Sequence, residues 1–213
     1  MQGEYGGGGY PEMAVLQTAR LTLRPCSPDD CADFMALELD PEVMRYLNGG
    51  HAVDHAPVDP AQIDTAQIDP AQTDPDAPFL MPRGTEPYVW TARRTADGAF
   101  VGWFCLWPES EGLAELGYRL RRTAWGQGLA SEGAAALVAW GFDSAGYDRI
   151  TACTMTVNMG SRRVMEKLGM RHDRTVPYDF APFPGSEQGE VWYELTRAAW
   201  NDAARRVLDG VHP

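Results

Sequence analysis

Apolar and polar residues alternate along Arg20-Leu21-Thr22-Leu23-Arg24 as they do in a half-buried strand, and Pro25 limits its extension. Ser27-Pro28-Asp29-Asp30 then marks a helix start, with serine as N-cap, proline in the first turn and acids at the positive end of the dipole. Phe34, Leu37 and their apolar neighbours give that helix a core face, and Asp40-Pro41 opens a second short helix through Tyr46. After a long interruption the alternation resumes. Strands are predicted over 88–92 and 100–107, joined by the turn Ala96-Asp97-Gly98, and over 113–120 after a turn near Glu111-Gly112. An apolar helical run over 131–144 and a β-branched strand over 149–157 follow. A helix over about 160–168 is stopped by Gly169 in a C-cap position. Two strands around 171–178 and 190–195 and a C-terminal helix after Thr196 complete the chain. Consecutive hairpins ahead of the helical crossover predict a mixed α/β (α+β) sandwich rather than a doubly wound sheet.

The interruption has its own texture. Asp59-Pro60-Ala61-Gln62-Ile63, Asp64-Thr65-Ala66-Gln67-Ile68, Asp69-Pro70-Ala71-Gln72-Thr73 and Asp74-Pro75 repeat every five residues, a period that fits neither helix nor strand. The stretch from about 50 to 86 reads most simply as a solvated insertion, with a lid over a binding site or a partner-binding loop as the sharper alternatives. Residues 1–14, rich in glycine, read as a flexible tail or a cloning remnant, and 15–213 as a single domain carrying the insertion.

Composition narrows the class. At 213 residues the chain can bury a sizeable core. No apolar run approaches the ~20 residues of a membrane helix, and the start of the chain lacks the basic and apolar segments of a signal peptide. Cys26, Cys31, Cys105 and Cys153 show no Cys-x-x-Cys spacing, so reduced thiols in a cytoplasmic protein are expected, with no disulfide and no metal site. The net charge of −12 is uneven. Residues 119–174 hold nine Arg or Lys against five Asp or Glu, a net of +4, and the remainder carries −16. That local basicity suits a small polyanion, whereas the acidity elsewhere argues against nucleic acid.

The chemistry concentrates in Trp125-Gly126-Gln127-Gly128-Leu129-Ala130-Ser131-Glu132. Two glycines one residue apart before a helix leave outward-pointing N–H groups that no Cβ shields, and the helix dipole favours a phosphate there. Alone that motif is weak. It gains force from Ala114-Glu115-Leu116-Gly117-Tyr118-Arg119-Leu120 before it and from Arg149-Ile150 and Asn158-x-x-Ser161-Arg162-Arg163-Val164-Met165-Glu166-Lys167-Leu168-Gly169-Met170 after it. In this order and spacing the motifs resemble the GNAT superfamily of acetyl-CoA-dependent N-acetyltransferases, and within it the RimJ/RimL-like branch that acetylates ribosomal-protein N-termini.

The resemblance implies a central, mostly antiparallel twisted sheet with one splayed strand pair, flanked by helices. It also implies acetyl-CoA as co-substrate, with its pyrophosphate on the N–H groups of Gly126, Gln127, Gly128, Leu129 and Ala130 and the hydroxyl of Ser131 beside them. Pantetheine would enter between the strands and pair with backbone at Tyr118 and Leu120 and with the Asn158 side chain. Arg121, Arg122 and Arg162 are either phosphate contacts or solubilising charges, and Trp125 either packs against the loop or touches the cofactor. Thr123 stands where the family pattern commonly has Arg or Gln, which removes one side-chain contact. Met165 stands where many members carry a tyrosine acid. The implied catalytic pair is therefore Glu115, as base or water relay, and Ser161, as hydrogen-bond donor to the departing thiolate or as a helix-start residue that only touches the cofactor. Trp103, Trp107 and Trp192 are candidate walls of the acceptor channel.

The expected activity is direct transfer of acetyl to a primary amine in a ternary complex, on a protein N-terminus or a small molecule. A non-catalytic acetyl-CoA-binding regulatory module is the rival. No nucleic-acid or membrane partner is expected, and a homodimer is left open.

Overall fold

The computed structural model describes residues 12–50, 82–180 and 182–208. The five-residue repeats and the first eleven residues lie outside the described residues. Eight strands form one sheet in the order β1-β2-β3-β4-β5-β6-β8-β7. They are β1 (Leu16–Gln17), β2 (Leu21–Pro25), β3 (Val89–Arg94), β4 (Phe100–Ser110), β5 (Leu113–Leu120), β6 (Arg149–Met155), β7 (Arg171–Val176) and β8 (Glu190–Thr196). Every neighbouring pair is antiparallel except β5–β6. The mixed α/β expectation holds. The two-residue β1 escaped the sequence reading, being too short to show a period.

Helices α1 (Cys31–Glu38) and α2 (Pro41–Asn48) lie between β2 and β3 in the chain, α3 (Leu129–Asp143) links β5 to β6, α4 (Met159–Lys167) links β6 to β7, and α5 (Arg197–Leu208) follows β8. Asp40 caps α2 by accepting from the Glu42 N–H at 3.0 Å. Gly169, with φ +82°, follows the end of α4 as the sequence predicts. Helix α3 begins at Leu129, two residues before the serine read as its start. Gly128 takes the cap position in the left-handed conformation, so no polar side chain is needed there.

Two apolar layers sandwich the sheet. On one face Leu21, Leu23, Trp90, Phe104, Leu106, Leu116, Ile150, Tyr193 and Leu195 pack with Leu137, Val138 and Trp140 of α3. On the other Phe34, Leu37 and Val43 cover Val89, Phe100, Trp103 and Cys105. Burying each large side chain contributes on the order of 1.5–3 kcal/mol. Helix α3 lies close on the sheet because two of its inward positions are glycine. A Cβ at Gly133 would meet the Phe104 ring at 2.4 Å, and one at Gly141 would meet Leu106 at 2.6 Å. This contact carries the helix N-terminus to the end of β5.

Candidate active site

The site begins with a register. Strands β5 and β6 pair in parallel only at Leu113↔Arg149, Ala114↔Ile150 and Glu115↔Thr151. Beyond that point β5 continues against β4 as far as Leu120↔Gly102, while β6 continues against β8 as far as Met155↔Glu190. Each strand stays with its outer neighbour, so the two diverge. The result is a wedge-shaped opening bordered by the backbone of 116–120 on one side and 152–155 on the other.

The Gly loop closes the wide end of β5. Trp125 Nε1 donates to the Leu120 carbonyl at 2.9 Å, and Gln127 Nε2 donates to the Thr123 carbonyl at 2.6 Å. Trp125 and Gln127 therefore shape the loop with their side chains. Gly126 and Gly128 have φ of +71° and +77°, which L side chains resist. No heavy atom lies within 4 Å of a Cβ built at Gly126. Glycine is required there by conformation, and the outward side is open to a ligand.

Among the described residues no side chain caps α3, and the first backbone bond at its start runs from the Glu132 N–H to the Gly128 carbonyl at 3.0 Å. The N–H groups of Leu129, Ala130 and Ser131 have no intrahelical acceptor by the geometry of the helix. This uncapped end fits a diphosphate. Arg121 and Arg122 are exposed beside it. Arg121 lies 5.9 Å over the Phe100 ring. Arg162 is turned towards β6 and β8, donating to the Thr156 carbonyl at 3.1 Å and to the Tyr193 hydroxyl at 3.3 Å.

A second clamp on the loop was missed in the sequence. Arg20 donates to the Gln127 carbonyl at 2.9 Å and to Glu132 Oε2 at 2.7 Å, and Glu132 Oε1 accepts from the Thr18 hydroxyl at 2.6 Å. Burial favours the protonated Glu132, but the bonds from Thr18 and Arg20 outweigh it and hold the carboxyl below its ordinary range. The contact joins residues more than a hundred positions apart, so no local pattern signals it.

Across the opening, α4 presents Asn158 and Ser161. Asn158 Oδ1 accepts from the Ser161 N–H at 3.2 Å, and its Nδ2 donates to Thr154 Oγ1 at 3.0 Å. Both ends of the amide thus have partners within the chain. The Ser161 hydroxyl lies 2.9 Å from the Tyr118 hydroxyl, which also donates to the Ser161 carbonyl at 3.2 Å. Burial pushes the Tyr118 phenol up to about 12, despite the opposing Ser161 bond. Met165 is fully buried in the core, so its position on α4 points away from the opening.

Glu115 sits at the last paired register, on the opposite face from Tyr118. Paired residues share a face, so Trp107 lies beside Glu115, and Trp192 lies beside Cys153. Cys153 Sγ donates to Glu115 Oε1 at 3.4 Å, and no ion pair to Glu115 exists among the described residues. Burial raises the Glu115 carboxyl above its ordinary value, the Cys153 bond opposes this, and the negative charges of Glu109 and Glu190 add to it. Glu190 is raised as well, by burial and then by Asp179. Burial and the Glu115 charge drive the Cys153 thiol far above its usual range, so it serves as a donor rather than a nucleophile. This face is acidic and walled by Trp107, which is 38% exposed, and half-buried Trp192.

A divergent parallel pair, a helix start behind a glycine loop and a half-buried carboxylate at the wedge fit an enzyme of the acyltransferase class. Residues 20–171 match the acetyltransferase (GNAT) domain model. The chain belongs to the GNAT acetyltransferase family, and it is an acetyl-CoA-dependent N-acetyltransferase. It is 35% identical over 198 residues to the FsC-acetyl coenzyme A-N(2)-transacetylase of Aspergillus fumigatus, covering 87% of this chain and 77% of that one. The fold is shared with an acetyltransferase from Bacillus anthracis, with a TM-score of 0.65 at 21% identity over 87% of this chain and 99% of that one. It is also shared with spermidine N-acetyltransferase from Vibrio cholerae, solved with CoA and spermine, with a TM-score of 0.64 at 12% identity over 88% and 98% of the two chains. Among the described residues no helix is long and apolar enough to cross a membrane.

Proposed function

We propose that the protein transfers acetyl directly from acetyl-CoA to a cationic primary amine, with Glu115 taking the proton that the amine must lose. Acetyl-CoA supplies the activated acetyl thioester. The chain's own residues do the rest. The N–H groups of Gly126, Gln127, Gly128, Leu129 and Ala130, with the Ser131 hydroxyl, hold the diphosphate. Backbone at Tyr118 and Leu120 lines the path of the pantetheine arm. An alkyl ammonium is almost fully charged at neutral pH, so a base or a water relay is needed before attack.

The observation that carries this reading is Glu115 itself, a half-buried carboxylate with a thiol as its hydrogen-bond donor and acidic neighbours. A carboxyl raised in this way is a stronger base than an exposed one, and its deprotonated form is not tied up by a cation. Glu109, Glu190 and Asp179 add negative potential on the same side, which favours a positively charged acceptor. Cys153, held protonated, supports direct transfer over an acyl-cysteine route. The RimJ/RimL-like motifs favour a protein N-terminal amine. The Aspergillus relative, whose name places its transfer on an N(2) nitrogen of FsC, favours nitrogen as the acetyl acceptor. We read residues 15–213 as one catalytic unit.

Release of free thiol from acetyl-CoA, measured with n-butylamine, 1,4-diaminobutane and peptides beginning with alanine or serine before basic or acidic residues, tests the reading. Turnover with the basic acceptors is expected, and its efficiency should fall with ionic strength, because exposed charges are screened within about 8–10 Å. A preference for acidic or neutral acceptors at every salt concentration contradicts the electrostatic part. Acetyl-CoA binding without thiol release from any amine points instead to a regulatory binding module.

A further inference from the structure

The bond between the Tyr118 and Ser161 hydroxyls spans the opening that the family's motifs assign to the substrate arm, yet Tyr118 enters the reading above only through its backbone. Its geometry supports more. Each hydroxyl has one hydrogen. The Ser161 hydroxyl has the Tyr118 hydroxyl as its partner at 2.9 Å, and the Tyr118 hydroxyl has two acceptors, Ser161 Oγ and, at 3.2 Å, the Ser161 carbonyl. If serine donates to tyrosine, the phenol hydrogen goes to the carbonyl, and nothing is left to donate outward. If tyrosine donates to serine, the serine hydrogen is free. Negative charge in the opening selects the second arrangement, because both O–H dipoles then point towards it.

The rest of the cluster prevents other solutions. Asn158 fixes the Ser161 backbone through the 3.2 Å cap bond and is itself held by Thr154 at 3.0 Å. The phenol ring packs against Phe104, with centroids 6.1 Å apart. Ser161 and Tyr118 come from α4 and β5, so their bond also fixes one side of the wedge relative to the other.

From this geometry we infer that Tyr118 is a positioning residue for the leaving sulfur: its phenol donates to Ser161 Oγ and leaves the serine hydrogen directed at the thiolate. The inference rests on the acetyl-CoA reading of the opening. As the acetyl carbon bonds to the amine nitrogen and the C–S bond breaks, the electron pair stays on sulfur, where Ser161 donates its hydrogen bond. The ammonium gives one proton to Glu115 or water before attack, the nitrogen gives a second to solvent after it, and the sulfur is protonated from solvent on release. Tyr118 loses no proton. Its phenol, pushed up by burial, remains a donor throughout neutral pH. The phenol hydroxyl, carried on β5, thus reaches the start of α4, the helix whose Met165 is buried.

The test is spectroscopic and uses CoA itself, not turnover. The thiolate absorbance of protein-bound CoA is titrated for the intact protein, Tyr118→Phe, Ser161→Ala, Ser161→Thr and the double variant Tyr118→Phe with Ser161→Ala. The intact protein should ionise bound CoA at lower pH than free CoA. Tyr118→Phe should raise the midpoint by about one pH unit, a tenfold change in thiol acidity, with CoA affinity at acidic pH within about twofold of the intact protein. Ser161→Ala should raise it at least as much, Ser161→Thr should retain the low midpoint, and the double variant should match Ser161→Ala alone. Site-specific 3-fluorotyrosine at 118 keeps the ring and makes a stronger donor, so it should lower the midpoint further even if the phenylalanine variant folds poorly. An unchanged midpoint in Tyr118→Phe, or a double variant showing the sum of the two shifts, overturns the inference. An unchanged midpoint in Ser161→Ala removes the serine role and this inference with it. Failure of the intact protein to bind CoA overturns the cofactor reading instead.

Discussion

Asp30, fully buried, and Glu115, half-buried, are two carboxylates on the same side of one sheet, and their surroundings are opposites. Asp30 has no exposed surface, and it accepts from Arg24 at 2.7 and 2.8 Å, Thr91 at 2.7 Å, the Ser27 N–H at 3.0 Å and Arg93 at 3.2 Å. Burial pushes its carboxyl up, but these donors outweigh it and hold it below the ordinary aspartate range. Glu115 accepts one long bond from a thiol, and its carboxyl is raised. Desolvation raises both carboxyls, so it does not by itself set the direction of the net shift. The donor count does. Asp30 ties β2, β3 and the start of α1 together, and Glu115 has no ion-pair partner among the described residues.

The comparison breaks most visibly at Asp30. Asp30→Ala strands the Arg24 and Arg93 guanidiniums around a buried void, and removal of one partner of a buried ion pair costs about 3–5 kcal/mol. Because both arginines keep about a third of their surface exposed, the lower end of that range is expected in urea unfolding. Acetyl-CoA affinity of the folded fraction should be unchanged. A stability loss confined to a few tenths of a kcal/mol would mean that the hub is dispensable and the contrast false.

At the glycine loop, Gly128→Asp adds a Cβ at φ +77° and a carboxylate at the diphosphate site proposed above. Calorimetry should show acetyl-CoA binding weakened at least tenfold, about 1.4 kcal/mol. Unchanged affinity in a folded variant would remove the cofactor from this loop.

The smallest effect separates the two carboxylates by pH. For Asp30, whose folded value is lowered, the stabilisation is present above the ordinary aspartate range and is lost as pH falls through the lowered value. For Glu115, whose folded value is raised, stability is fullest below the ordinary glutamate range and is lost as pH rises through the raised value. At neutral pH the Glu115 carboxylate therefore opposes folding. Glu115→Gln should melt at higher temperature than the intact protein near pH 8, and the gap should close below about pH 4. A gap that widens on acidification would reverse the assigned shift.

Much of the fold was legible because its strands alternate and its turns carry glycine, as in the hairpin at Ala96-Asp97-Gly98 and the turn at Gly112. The glycine loop was legible for the same local reason. What stayed hidden depends on partners far apart in sequence. The insertion of β8 between β6 and β7 follows from the path of a connection, not from any periodicity within it. The clamp of Arg20 on Glu132 and the bond of Tyr118 to Ser161 join side chains that read singly as a strand charge and a strand aromatic. Glu115 was legible as a candidate through its family motif, but its missing cation shows only once β6 brings Cys153, and not an arginine, to face it.

The most direct test of the account is the dependence of kcat on pH for the intact protein and for Glu115→Gln, with the best amine acceptor at saturation. If Glu115 takes the amine proton, kcat of the intact enzyme rises with pH through a midpoint above the ordinary glutamate value. The glutamine variant should lose about a hundredfold in kcat, a general-base effect of ordinary size, and should recover only at higher pH, where free amine exists without help. A Glu115→Gln enzyme with unaltered kcat and an unaltered profile would contradict the account, leaving orientation of the free amine as the source of rate.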